Sequence, residues 1–319
     1  MSDNLDDLRP KSLADFQGQG DLKKELDIIL SSAKLRKKMP DHILFSGPPG
    51  LGKTTLSYLI ANELNLPIIT TTAPSFSKPG DIAAILTSIS APSILFIDEI
   101  HALAPQTEEL LYPAMEDGFI DLIVGEGVKA RSIRLDLQPF VLIGATTKYG
   151  NLSAPLRDRF GYHGRLKLYS DTEISKIIER SSSLLNIKID EKAAHSIALR
   201  SRGTPRIANR WLRRVRDWAE VKSIETIDSA HAESALDEFG VDKIGLDDFG
   251  REILHAIISK FSGGPVGLST IATAVNESST TIEEVYEPHL IRSGMLVRTP
   301  RGREVTKNAY KHLGLNSKR

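Results

Sequence analysis

The sequence contains no cysteine, which excludes disulfides, thiol nucleophiles and thiolate metal sites. That absence fits a reducing compartment. There is no net charge either: 41 lysines and arginines face 41 aspartates and glutamates. No global field therefore announces a nucleic-acid partner, and any such signal has to be local. No apolar run approaches the length of a membrane span. Residues 1–7 are polar and acidic, unlike a signal peptide. Internal repeats and low-complexity tracts are absent. The expectation is a soluble, cytoplasmic protein with no membrane partner.

What is present is length and apolar content: 319 residues, 40% hydrophobic, enough for about two or three packed domains. Residues 1–169 alternate apolar strand candidates (42–46, 67–71, 93–97, 140–144) with helical stretches (21–36, 53–64, 80–89, 106–116). Such alternation predicts an α/β domain with a parallel sheet covered on both faces. Residues 170–240 read as four helices, 172–184, 191–201, 205–221 and 229–239, and so as a small helical domain. Trp211, Leu212, Val215 and Trp218 fall at helical spacing and are its expected core. A linker is expected at 240–250. Within 241–319, helices near 251–261, 268–275 and 280–292 precede a strand-turn-strand at 295–305, the pattern of a winged helix. Thr280 and Glu283 have the spacing of a capping box.

The chemistry concentrates in Gly47-Pro48-Pro49-Gly50-Leu51-Gly52-Lys53-Thr54-Thr55. Backbone N–H groups of such a loop wrap phosphate oxygens, the lysine reaches the β/γ-phosphates, and a hydroxyl ligates Mg²⁺. The flanking strand and helix argue against an idle Gly-Pro turn, because a helix N-terminus is where anions sit. ATP with Mg²⁺ is the expected ligand. Ile94-Leu95-Phe96-Ile97-Asp98-Glu99 then places two carboxylates at a strand's carboxyl end, where open α/β sheets bind ligands. Asp98 suits Mg²⁺ and Glu99 the polarisation of an attacking water. A further strand, Phe140 to Ala145, ends in Thr146-Thr147, which read either as polar groups at the γ-phosphate or as β-formers closing a strand. Arg157-Asp158-Arg159 reads either as a salt-bridged turn or as a source of transition-state charge. Arg206 in Gly203-Thr204-Pro205-Arg206 starts a helix, the wrong end for a cation, which hints at phosphate.

Together, Pro48-Pro49-Gly50-Leu51-Gly52-Lys53-Thr54-Thr55, Phe96-Ile97-Asp98-Glu99-Ile100-His101, Gly144-Ala145-Thr146-Thr147, Leu156-Arg157-Asp158-Arg159-Phe160-Gly161 and Gly203-Thr204-Pro205-Arg206 resemble the AAA+ ATPases. Leu111 to Asp117, the segment 125–133, Arg206-Ile207-Ala208-Asn209-Arg210, Gly263 to Leu268 and Arg298 to Arg303 resemble more narrowly the RuvB family of Holliday-junction branch-migration motors. The resemblance runs over residues 8–315. It implies that Leu8 and Arg9 cover the adenine, that Tyr169 also contacts nucleotide, and that Gly50, Gly52, Lys53, Thr54 and Thr55 hold phosphate and Mg²⁺. It further implies Asp98 and Glu99 as Walker B, Thr147 as sensor 1 (where many relatives carry asparagine), Arg206 as sensor 2, and Arg159 as a finger offered to the next subunit of a homohexamer. Glu116 and Asp117 would face nucleotide across that boundary. Ala102 and Lys148 stand where the family usually has arginine.

Residues 119–124 and 131–137 alternate apolar and polar around Gly125-Glu126-Gly127, predicting a β-hairpin. It reads plainly as an extension of the sheet. The resemblance implies instead an arm for RuvA, the junction-recognising partner, touched by Ile120, Leu122, Ile123 and Ile133, with the RuvC resolvase as a second partner. Residues 298–319 hold seven basic residues and one acidic residue, Glu304. Arg298, Arg301 and Arg303 at a wing are candidates for phosphate contacts with double-stranded DNA; Lys318 and Arg319 read as a solvated tail. Two other readings stay open: a clamp loader or replication initiator, and a DNA-binding regulator with a vestigial ATPase.

Overall fold

The computed structural model of the protein describes residues 8–124 and 131–316, with only the backbone of residues 123 and 124. It divides into two units, residues 1–173 and 174–319. Among the described residues no helix is long and apolar enough to cross a membrane.

The first unit is built on five parallel strands: β1 (Ile43–Ser46), β2 (Ile68–Thr72), β3 (Ser93–Asp98), β6 (Phe140–Thr146) and β7 (Tyr162–Arg165), in the spatial order β2-β3-β6-β1-β7. The three central strands are buried from end to end, apart from Asp98, which closes β3 half-buried, and that is why their sequences read as unbroken apolar runs. β7 is a strand the sequence pattern does not announce. Tyr162-His163-Gly164-Arg165 lies on the sheet edge with one buried residue, and Gly164 is there because a Cβ would press into the Phe45 ring. The helices are α1 (Gly20–Arg36), α2 (Lys53–Leu64), α3 (Pro79–Ser88), α4 (Pro105–Glu116) and α5 (Ala154–Asp158). One core joins Ile82 and Leu86 of α3 and Leu111 of α4 to Leu95, Ile97 and Leu142 of the sheet. Each such buried aliphatic side chain contributes about 1.5–3 kcal/mol.

The hairpin forms as predicted, β4 (Phe119–Val124) antiparallel to β5 (Arg131–Asp136), but as a two-stranded sheet of its own rather than an extension of the main one. The turn at 125–127 lies outside the described residues. Cross-strand partners share a face, so Ile120, Leu122, Ile133 and Leu135 form one stripe. Burial falls along it: Ile120 is fully buried in the core, Leu122 half-buried, and Ile133 47% exposed.

In the second unit, α6 (Asp171–Leu184), α7 (Glu191–Leu199), α8 (Pro205–Val221) and α9 (Ser229–Glu238) match the predicted helices. Trp211, Leu212 and Val215 are buried, with Ala219 in the place expected of Trp218. Trp218 lies on the rim instead, its indole N–H donating to Glu238 at 2.6 Å. Of the segment 240–250 expected as a linker, residues 248–250 open the next helix and 240–247 form a packed turn: Val241 and Leu246 are buried, and arginines fill its carbonyls. Arg200 donates to Val241, Arg202 to Gly245, and Arg251 to Leu246 and Gly240.

The winged helix follows as α10 (Asp248–Phe261), α11 (Leu268–Ala274), α12 (Ser279–Thr281), a π turn (Ile282–Tyr286), α13 (Glu287–Arg292), the wing strands β8 (Leu296–Thr299) and β9 (Gly302–Val305), and a further helix α14 (Lys307–His312). The predicted Thr280–Glu283 capping box is not formed. Ser278 caps instead, its hydroxyl accepting the Thr281 N–H at 3.0 Å. Arg303 exchanges two backbone bonds with Val266, which adds a third strand-like edge to the wing. That approach is so close that a Cβ at Gly264 or Gly302 would run into backbone, which explains glycine at both places.

Candidate functional site

The loop 47–53 leaves β1 and ends at Gly52, which caps α2 with φ 106°. Gly47 and Gly50 also hold positive φ, 139° and 77°. A Cβ at Gly47 would sit 2.6 Å from the Leu166 carbonyl oxygen, and one at Gly52 would sit 3.0 Å from the Phe16 ring. Only glycine lets this backbone turn its N–H groups into one concave nest, the fit a phosphate chain requires. Lys53 is buried and its Nζ donates to the carbonyls of Gly47 and Pro48 at 2.7 and 3.0 Å, across the mouth of the loop. Thr54 and Thr55 follow, both half-buried, in the first turn of α2. The donors on offer for a cation, the Thr54 hydroxyl and the Asp98 carboxylate, are all oxygen, the set Mg²⁺ takes.

Beside the loop lies an aromatic wall. Tyr169 is buried, donates its hydroxyl to the Leu51 carbonyl at 3.0 Å, and packs on Gly18, where a Cβ would sit 2.5 Å from the ring. Burial pushes its phenol well above the usual range, so the ring stays neutral. Leu8 is buried and Arg9 lies 5.0 Å over the Tyr58 ring of α2. Phe16 belongs to this wall, but nothing in its sequence surroundings separates it from an ordinary core aromatic.

β3 delivers Asp98 and Glu99, and β6 delivers Thr146 and Thr147. Asp98 Oδ1 accepts the Glu99 N–H at 2.9 Å. Glu99 itself has φ 49°, a left-handed conformation that costs a non-glycine residue about 1–2 kcal/mol. The kink turns Glu99 sideways towards β6, where its Oε2 accepts the Thr147 hydroxyl at 3.0 Å and the Thr147 N–H at 3.4 Å. The structure therefore brings together Glu99 and Thr147, which the sequence separates by 48 positions. His101 Nδ1 lies 3.2 Å from the same Oε2 and 3.0 Å from Thr146 Oγ1. Ala102 and Lys148 are exposed.

Arg159 follows α5 and is 21% exposed. It donates to Glu116 Oε2 at 3.1 Å and to the Pro155 carbonyl at 2.8 Å, and its guanidinium lies 4.3 Å over the Tyr112 ring. The buried Glu108 orients that ring, accepting from Tyr112 and, at 2.6 Å, from Ser153. Glu116 and Arg159 thus share one face, and the exposed Asp117 follows Glu116. Glu108, Tyr112 and Ser153 are support that no motif announces. In the second unit Arg206 is exposed in the first turn of α8, behind the Thr204 cap.

The wing corrects one expectation. Arg301 is exposed at its tip, and Arg298, 58% exposed, lies 3.4 Å from Glu283. Arg303 does not point outward. Its side chain is 10% exposed and bonds Glu287 Oε2 through Nε and Nη2 at 3.1 and 2.9 Å. Alternation along β9 puts Arg303 on the inner face, where an arginine is tolerated only as half of an ion pair. The hairpin corrects another: Ile120 is core, anchored under α4, and Leu122 and Ile133 carry the outward part of its stripe. The Ile123 side chain lies outside the described residues. Lys318 and Arg319 do too.

Three family models match the chain in register with these features: "Holliday junction DNA helicase RuvB P-loop domain" over residues 8–166, "RuvB AAA lid domain" over 169–242, and "RuvB C-terminal winged helix domain" over 243–314. Among solved structures, two single-residue mutants of Thermotoga maritima RuvB are each 48% identical with a TM-score of 0.89, the match covering 97% of this chain and 99% of theirs. A structure described as the Thermotoga maritima RuvB Holliday junction branch migration motor is 47% identical with a TM-score of 0.88, over the same shares.

Proposed function

Because the chain belongs to the RuvB family of Holliday-junction motors, we propose that it is an ATP-driven DNA translocase that assembles as a homohexamer and promotes branch migration in recombination and repair, with RuvA as its junction-binding partner. The observation that carries this reading is the Glu99–Thr147 pair at the sheet's carboxyl end, in a domain that also holds the glycine nest and Lys53. A motor needs a base held in check until its site is complete, and Thr147 holds Glu99 on one oxygen.

In this reading the nest at 47–53 and Lys53 bind the phosphates, while Leu8, Arg9 and Tyr169 flank the base. Mg²⁺, held by Thr54 and Asp98, supplies neutralisation of the β- and γ-phosphate charge. Glu99 accepts a proton from the attacking water. Arg159 serves the neighbouring subunit's γ-phosphate. Its pair with Glu116, whose side chain is 53% exposed, contributes at most about 1 kcal/mol, so release towards a phosphate is cheap. Arg206 fills the sensor-2 role. The lid and winged helix then move on DNA gripped by Arg301 and Arg298 at the wing. Leu122 and Ile133 dock RuvA.

ATP-dependent migration of a synthetic four-way junction, with and without RuvA, tests the proposal. The expected result is migration that RuvA stimulates. Brisk ATP hydrolysis with no strand movement in either condition overturns it and favours a clamp-loader or initiator role.

A further inference from the structure

His101 touches both strand ends of the hydrolytic centre. Its Nδ1 lies 3.2 Å from Glu99 Oε2 and 3.0 Å from Thr146 Oγ1. An ionised carboxylate only accepts hydrogen bonds, so a lone pair on Nδ1 would repel Oε2 at that distance. Nδ1 therefore carries the proton and shares it between the carboxylate and the hydroxyl. Thr146 is fully buried and its Oγ1 also accepts the Lys148 N–H at 3.0 Å, so it is a fixed anchor at the end of β6. Among the described residues the contacts to the Glu99 carboxylate, from Thr147 and His101 together, fall on Oε2.

We infer that His101 is a positioning residue for Glu99: a strut between the ends of β3 and β6 that sets where the carboxylate stands. This rests on the reading of Glu99 as the base. Thr147 alone holds Oε2 through a rotatable hydroxyl at 3.0 Å and a long backbone N–H bond at 3.4 Å. The imidazole adds a rigid second hold, wedged against Thr146, so a shift of β6 moves the base with it. Misplacing a reacting group by about 1 Å costs up to about a hundredfold in rate, so a strut of this kind is a rate determinant.

The test is ATP turnover and nucleotide affinity in three variants of the full chain. His101→Ala should lower kcat about tenfold and leave ATP affinity within about twofold, the signature of an interaction that serves the transition state. His101→Asn places an amide N–H near the Nδ1 position and should return kcat to within about threefold of the unmodified chain. His101→Gln, whose donor reaches the Nε2 position, should not. Thr146→Val removes the anchor with little change of shape, and combined with His101→Ala it should cost no more than either alone. Equal kcat in the Ala, Asn and Gln variants, or additive losses in the double variant, overturns the strut. Full turnover in Glu99→Gln instead overturns the base assignment.

Discussion

The buried pair at the root of the wing separates architecture from DNA grip. Glu287 is 3% exposed and Arg303 10%. Arg303→Ala alone leaves that carboxylate buried with, among the described residues, Arg298 at 3.9 Å to face it. Stranding such a charge costs about 3–5 kcal/mol, a large share of the roughly 5–15 kcal/mol that holds a domain together. The single variant therefore loses DNA by loosening the wing and says nothing about contact. Replacing both partners, Arg303→Met with Glu287→Leu, removes the charges together, and such swaps are commonly neutral or stabilising by about 1–4 kcal/mol. The assay is fluorescence anisotropy on a labelled duplex over a salt series. Each phosphate contact contributes about 0.9 to the slope of log K against log salt. The double variant should not flatten the slope of the unmodified chain, and steepens it if loss of Glu287 frees Arg298 for a phosphate. Arg301→Ala should be shallower by about 0.9. A double variant that flattens by about one unit, with the Arg303 amide still protected from exchange in its bond to Val266, would refute the reasoning and return Arg303 to the DNA.

Gly52→Ala should lose nucleotide affinity by about tenfold or more in a binding titration, because φ 106° and the Phe16 ring 3.0 Å away leave no room for a methyl. Ile120→Ala should cost about 2–5 kcal/mol in denaturant melts, whereas Ile133→Asp should stay within about 0.5 kcal/mol and yet weaken RuvA binding. Arg159→Ala should abolish turnover but regain some when mixed with Glu99→Gln subunits, which offer an intact finger; a steady-state mixing series that shows no recovery at any ratio counts against action in trans. Burial, with Arg202 and Arg292 alongside, pushes His289 down to about 4 from the usual 6.5. The unfolded chain then protonates first, so stability is full above pH 6.5 and drops by up to about 3 kcal/mol as pH falls towards 4. His289→Gln should flatten that part of the melting profile.

The sequence made legible whatever was forced by burial or by glycine. Central strands surrounded by protein on both faces must be apolar throughout, and so β1, β3 and β6 stood out within two residues of their ends. The nest needs glycine at fixed offsets, and so it announced itself. β7 did not, because an edge strand with one buried residue needs no apolar run. Hairpin alternation gave the stripe but not its gradient. Only the packing of α4 decides that Ile120 is roofed over while Ile133 is bare. Arg303 looked like Arg301 because a residue in the wing turn and one on the strand beyond it share a composition and differ only in where the backbone aims them, and the register that turns Arg303 inward comes from Val266, 37 positions earlier. His101 and Phe16 were silent for a third reason. Their roles depend on atoms contributed by distant strands, and a histidine or phenylalanine beside an apolar run is ordinary.

The turn at 240–247 is a clamped joint rather than a loose linker. Its carbonyls at Gly240, Val241, Ile244, Gly245 and Leu246 are taken by Arg251, Arg200, His289, Arg202 and again Arg251. Asp242 closes the turn from the other side, accepting the N–H groups of Ile244 and Leu246 and pairing with His312 at 2.7 Å. These donors come from the turn between α7 and α8 and from α10, α13 and α14, so the lid and the winged helix clamp the same eight residues. Opening the clamp would strand several buried charged groups at once, each at a cost of several kcal/mol. If Arg206, which opens α8 four residues after Arg202, answers to nucleotide as proposed, a push there meets less resistance in carrying the wing along than in bending the joint.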